Sequence, residues 1–121
     1  MKLHEQRVAR MNLVERYGSG GIQINGRSLA APLLVAPGFL QDNWIAGIAQ
    51  LVPDALSAIW PLQPRIVLLG SAVRPPEQVK VLRTLLQDRQ IALETMDLGA
   101  ACRTYNVLAQ EDRAVVALLF P

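Results

Sequence analysis

A chain of 121 residues, 51% hydrophobic and 18% charged, can bury one core and fits a single domain. Its mean hydropathy of +0.24 excludes a disordered chain, and its longest unbroken apolar run, Ala114–Phe120, is far shorter than the roughly 18 residues that span a bilayer. The 12 basic and 10 acidic residues leave a net charge of only +2, the basic ones are scattered, and no RNA-stacking or recognition-helix signature accompanies them, so no nucleic-acid partner is expected.

The first residues, "MKLHEQRVARMNLVERYG", lack the apolar segment of a secretory signal. Lys2, Arg7, Arg10 and Arg16 outnumber Glu5 and Glu15, a feature shared with mitochondrial presequences. The acidic residues and the absence of serine-rich composition favour instead a solvated leader of a cytoplasmic protein. A flexible basic leader is expected over residues 1–12, and a single domain over 13–121.

"LVERYG" has the length of a short strand. Asn25-Gly26 then lies between β-tolerant flanks, the strongest short-range hairpin signal. Pro32 and Pro37 are expected to keep this region out of the centre of a sheet. In the middle of the chain, Pro53-Asp54 opens a short helix through Ala58 or Ile59, and Pro61 and Pro64 stop it. Ile66–Leu69 is apolar on both faces, as a buried parallel strand is. Pro75-Pro76-Glu77 begins a helix whose Val79, Leu82, Leu85 and Leu86 recur at helical spacing. Ile91–Met96 forms a second strand, with the alternation of an edge. Leu98–Gln110 forms a second helix with a stripe of Leu98, Ala101, Cys102, Tyr105 and Leu108. Ala114–Phe120 is a third strand, again apolar on both faces. The C-terminal half is thus β-α-β-α-β, with parallel neighbours and right-handed crossovers. Hairpins precede it, and the class is mixed α/β.

Few residues carry reactive chemistry. His4 is the only histidine and Cys102 the only cysteine. A disulfide, a thiolate zinc site and a Ser-His-Asp or Cys-His arrangement are therefore all out of reach. No metal or cofactor is expected. Gly70 follows a strand, but Gly70-Ser71-Ala72-Val73-Arg74-Pro75 keeps only the first glycine of a dinucleotide fingerprint and lacks the lysine and hydroxyl of a P-loop. Pro75 and Pro76 also remove two N–H donors that an anion would use. Gly70 reads as a structural turn, with an anion site at Ser71 and Arg74 as the sharper alternative. Glu94 and Asp97 are not fixed face to face, and Asp97 reads as the N-cap of the helix from Leu98. Cys102 lies in the apolar stripe and reads as a buried, inert thiol. Asn106 is a poor helix former in mid-helix. Helical geometry places it beside Arg103 and Gln110, with Thr104 about 200° away. It reads as a side chain bonded to a neighbouring loop, or alternatively as part of a polar contact surface.

The stretches "LGSAVRP" and "IALETMDLGAACRTYNVLAQEDRAVVALLFP" resemble a small α/β family of unknown function found in bacteria and archaea. That family includes the adipogenesis-associated protein of animals and the mitochondrial assembly factor of NADH dehydrogenase (complex I). Gly70 and Ser71 match its glycine turn. Ala101, Thr104, Tyr105, Asn106 and Leu108 match its last helix, and Glu111 and Arg113 the turn after it. "YGSGGIQINGR" resembles its opening hairpin, so the likeness covers residues 13–121. Ala72 replaces the second glycine of the turn, and Leu98 a threonine. Both departures argue against a phosphate cradle.

The resemblance implies three layers: a small parallel sheet, helices on one side, and an antiparallel hairpin sheet on the other. It implies a non-enzymatic protein-interaction or assembly factor, with respiratory-chain (NADH dehydrogenase) complexes as the candidate target. Its protein partners would be peripheral to a membrane complex. The location would be cytoplasmic in a bacterium and mitochondrial in a eukaryote, and the state a monomer or homodimer. The alternative is a small-molecule or anion-binding domain at Gly70 to Arg74. The residues expected to contact a ligand or partner are Gly70, Ser71, Arg74, Arg103, Thr104 and Asn106.

Overall fold

The computed structural model describes residues 11–121, except Ser19 and Ala31. Residues 1–10 of the expected leader lie outside the described residues. Asn12, by contrast, is bound into the domain. Its backbone N–H donates to the Pro37 carbonyl at 3.0 Å, and its side-chain amide to the Ala36 carbonyl at 3.0 Å.

Three short strands, β1 (Val14–Gly18), β2 (Gly21–Ile24) and β3 (Arg27–Leu29), form an antiparallel sheet in sequence order. Asn25 and Gly26 turn the chain between β2 and β3 with φ of 51° and 79°. Positive φ at both central residues is the requirement of the two-residue turn that matches strand twist, and Asn-Gly supplies it at least strain.

β4 (Leu33–Ala36) and β5 (Phe39–Asp42) form a second hairpin, but they join the main sheet. The order is β5-β4-β8-β6-β7, with β6 (Ile66–Ser71), β7 (Ala92–Asp97) and β8 (Val115–Phe120). β6 runs parallel to both β7 and β8, while β8 pairs antiparallel with β4. β4 is therefore an interior strand, buried along its whole length, where Pro32 and Pro37 were expected to forbid one. The two prolines flank the strand instead of interrupting it, so no ladder N–H is lost. Their carbonyls accept from Asn43 and Asn12.

Between β5 and β6 the chain makes three 3₁₀ turns, Ile48–Gln50, Pro53–Ala58 and Trp60–Leu62. Pro61 lies inside the last of them. A 3₁₀ turn tolerates proline early, where the missing N–H would have no partner anyway. Helix α1 is Val79–Gln87, and α2 is Leu98–Gln110. α1 begins later than Pro75-Pro76 suggested. The residue before a proline is pushed out of the helical region, so Pro75 cannot open the helix ahead of Pro76, and the first turn is closed by Val79 N–H to the Pro76 carbonyl at 3.1 Å.

The two-sheet α/β class stands as the resemblance implied, but the helices are divided between the faces. On one face Val79, Leu82 and Leu86 of α1 join Leu51, Leu56 and Ile59 against Val67, Leu69, Val116 and Leu118. On the other, Ala101, Cys102, Tyr105 and Ala109 of α2 join Val14, Ile22, Ile24 and Leu29 against Leu33, Val35, Leu68 and Ala117. Strand order explains the division. From β6 the chain steps outward to β7, then returns across β6 to β8. Right-handed crossovers taken in opposite directions place their helices on opposite faces.

Gly70 is not a turn. It is the fifth residue of β6, fully within the sheet. A Cβ there would collide with Ala101 Cβ of α2 and stand 3.2 Å from Leu119 Cδ2. Its missing side chain is what allows α2 to lie this close to the strand. Gly70→Ala should therefore destabilise the domain by about 1–3 kcal/mol, the usual cost of overpacking, while the secondary structure is retained. Denaturant melts test this, and an unshifted midpoint would refute the close-packing role.

Candidate functional site

The two crossovers leave a crevice. β6 and β7 end side by side, with Ser71 opposite Asp97. The chain leaves β6 toward one face and β7 toward the other. In open α/β sheets such a point of reversal is where ligands most often bind. Here the crevice is open, about 330 Å³, and lined by Ser71, Ala72, Val73, Arg74, Pro75, Thr95, Met96 and Asp97.

Each lining group has a local reason for its position. Ser71 is 5% exposed, and its Oγ accepts from the Val73 N–H at 3.1 Å. That bond bends the chain away from the strand axis at the end of β6. Asp97 caps α2, with Oδ1 accepting from the Ala100 N–H at 2.7 Å. Asp97 thus does the capping work that its place before Leu98 predicts, and it occupies the crevice wall with one carboxylate oxygen committed. Arg74 is exposed. Val73, 63% exposed, adds an apolar rim.

The first amides of α1 do not form an anion cradle. Pro75 and Pro76 carry no N–H. The N–H groups of Val79, Lys80, Val81 and Leu82 all donate to carbonyls of residues 76–78. A helix N-terminus whose donors are already used offers little to a phosphate.

Of the six residues expected at a site, only Ser71 and Arg74 line this crevice. Gly70 lies beneath it as a packing residue. Arg103 points the other way along α2, donating to the Tyr17 hydroxyl of β1. Its guanidinium is 5.9 Å from the centre of that ring. Thr104 is half-buried. Asn106 grips Val14 of β1 with both ends of its amide: Oδ1 accepts from the Val14 N–H at 2.9 Å and Nδ2 donates to the Val14 carbonyl at 2.8 Å. One side chain here completes a pairing that a neighbouring strand would otherwise supply. The adjacent Tyr105, fully buried, donates its hydroxyl to the Asn12 carbonyl at 2.6 Å. Burial pushes the Tyr105 phenol well above its ordinary range. Thr95 and Met96 of the crevice carry no local sequence signal, because only the pairing of β7 with β6 brings them there.

Cys102 is 1% exposed, and burial pushes its thiol up from the ordinary 9.0 to about 11, against a smaller opposing pull from Arg103. No cluster of three or more His, Cys, Asp or Glu suited to a metal occurs among the described residues. No helix among them is long and apolar enough to cross a membrane.

Residues 14–120 match the family described as "Protein of unknown function (DUF498/DUF598)". The human NADH dehydrogenase (ubiquinone) 1 alpha subcomplex assembly factor 3 is 34% identical over 124 aligned residues, which take in 100% of this chain and 67% of the human protein. Its bovine counterpart is 32% identical, with 89% of this chain and 60% of that protein covered. The chain thus spans two thirds or less of these relatives' lengths. Among solved structures, a Xanthomonas campestris protein superposes with a TM-score of 0.76 at 29% identity, covering 90% of this chain and 83% of that one.

Two outcomes follow from the geometry of α2. Asn106→Ala leaves the Val14 N–H and carbonyl without partners and should cost about 1–3 kcal/mol; an unchanged denaturant midpoint would remove Asn106 from the framework and make it a contact residue. Cys102 supplies a pH dependence. The unfolded thiol loses its proton near 9.0 and the folded one only near 11, so between these values the unfolded state binds fewer protons and stability falls as pH rises. Cys102→Ala should make that fall shallower, with buried Tyr105 still contributing at its upper end, and native wild-type thiol should label slowly at neutral pH. Fast labelling without unfolding would contradict its burial.

Proposed function

We propose that this chain, which belongs to the DUF498/DUF598 family of proteins of unknown function, is a non-enzymatic assembly factor acting through protein contacts on respiratory NADH dehydrogenase. The observation that carries the reading is the likeness to the human assembly factor along the whole of this chain. The site chemistry is compatible with it. The crevice at the ends of β6 and β7 presents one arginine, one capping aspartate, hydroxyls and an apolar rim, without a nucleophile–base pair. Such a mixture suits recognition of a protein surface better than bond-making. The partner would be a subunit or intermediate at the periphery of the membrane complex, met in the cytoplasm of a bacterium or in the mitochondrion of a eukaryote. The anion-binding alternative at Gly70 to Arg74 is not supported, since the Ala72 and Val73 N–H groups already donate to the Phe120 carbonyl and to Ser71 Oγ and the two prolines that follow carry no N–H.

Deleting the gene and following NADH dehydrogenase by native gel tests the reading. Loss should lower the assembled complex and leave subassemblies, with other respiratory complexes unaffected. A normal level of complex in the deletion strain would overturn it. Arg74→Glu tests the crevice. Arg74 is exposed, so stability should stay within about 0.5 kcal/mol, while complementation of the deletion should fall. Full complementation by Arg74→Glu would move the contact surface elsewhere.

A further inference from the structure

The Asn25–Gly26 turn carries a chemistry that its structural role leaves unused. Glycine has no Cβ to shield its backbone nitrogen, so in a free chain the Gly26 nitrogen has open access to Cγ of Asn25. On attack the N–Cγ bond forms and the Cγ–Nδ2 bond breaks. The side-chain nitrogen leaves as ammonia, taking the proton given up by the Gly26 N–H. Water then opens the cyclic imide at either carbonyl, giving isoaspartate or aspartate. The sequence needs only water, and both residues are exposed to it.

In the fold each reacting group is held. The Gly26 N–H donates to Glu15 Oε1 at 2.9 Å. The Asn25 Nδ2 group donates to Asn12 Oδ1 at 3.0 Å. Asn12 is in turn fixed by its bonds to the carbonyls of Ala36 and Pro37. The turn itself is pinned by the pairing of Ile24 with Arg27. Bringing the Gly26 nitrogen onto Cγ requires the glycine to leave Glu15, the amide to leave Asn12, and the left-handed turn to open.

We propose that Asn25–Gly26 is a latent modification site, an asparagine-to-isoaspartate conversion held closed by Glu15 and Asn12. Once converted, residue 25 presents a carboxylate oxygen to Asn12 Oδ1 where a donor stood, and adds negative charge beside Glu15. The isoaspartate form also reroutes the main chain through an extra carbon at the turn. Conversion therefore strikes the hairpin and the Asn12 anchor together.

The test is to age the purified full chain in mildly alkaline buffer and to quantify isoaspartate at residue 25 by peptide mapping, with released ammonia as a second readout. Native wild type, wild type unfolded in guanidinium, and Glu15→Ala are compared. Native wild type should convert many-fold more slowly than unfolded wild type, and Glu15→Ala several-fold faster than native wild type. Glu15→Gln, which keeps an acceptor oxygen, should restore much of the protection. Equal rates in native and unfolded wild type would overturn the proposal whether or not a variant folds. A Glu15→Ala rate equal to or below wild type would also overturn it, the lower rate marking Glu15 as a base that assists the attack.

Discussion

The approach of α2 to β6 at Gly70 organises the rest of the molecule. Without a side chain at this one strand position, Ala101 comes down onto the backbone of the sheet. That height sets where the remaining α2 residues fall. Tyr105 and Asn106, one turn further on, reach Asn12 and Val14 at the entry to the small sheet. Raise the helix and both reaches lengthen together. The same helix shares one core with the small sheet, where Ala101 and Tyr105 pack with Ile22, Ile24, Leu68 and Ala117.

Hydrophobic contact gives this layer its stability, but polar contact gives it register. Apolar side chains pack tolerantly, and volume-conserving exchanges among them cost little. The amide of Asn106 accepts only one alignment, donor to carbonyl and acceptor to N–H. The helix-propensity cost of asparagine in mid-helix is small beside leaving the Val14 backbone groups unpaired. Arg103 extends the same alignment outward to Tyr17 on β1. Asn106 and Arg103, about one helical turn apart and both bonded to β1, make α2 a ruler for the small sheet.

Local chemistry was legible in the sequence, and long-range geometry was not. The bounds of α2 follow from Asp97 as a cap and from the apolar period through Tyr105 and Leu108, all local signals. The Asn25-Gly26 turn is equally local. β4 was hidden, because Pro32 and Pro37 look like exclusions until the strand is seen to fit between them. The side on which each helix lies depends on β8 pairing across β6, which no window of neighbouring residues contains. Gly70 was visible as an exception, but its reason is Ala101, a helix away. The crevice follows the same rule: Ser71 and Arg74 announce themselves beside the glycine, whereas Thr95 and Met96 arrive only through strand order. Asn106 violates a propensity that any local window shows, but its partner Val14 lies 92 residues away along the chain.

The place of β8 bears on how the chain is made. The last strand of the domain, β8, is the middle strand of the five, with its Leu119 and Leu118 paired to Leu33 and Leu34 of β4 on one edge and β6 on its other edge. During synthesis β4 and β6 emerge first and have no strand between them. Each then exposes apolar residues on both faces with an open ladder edge, the combination that invites pairing with foreign chains. Closure waits on Val115–Phe120. For a growing polypeptide on the ribosome, the vulnerable interval therefore lasts until Val115–Phe120 has emerged, and a holding chaperone acting on that interval would protect this domain more than one acting on the folded protein.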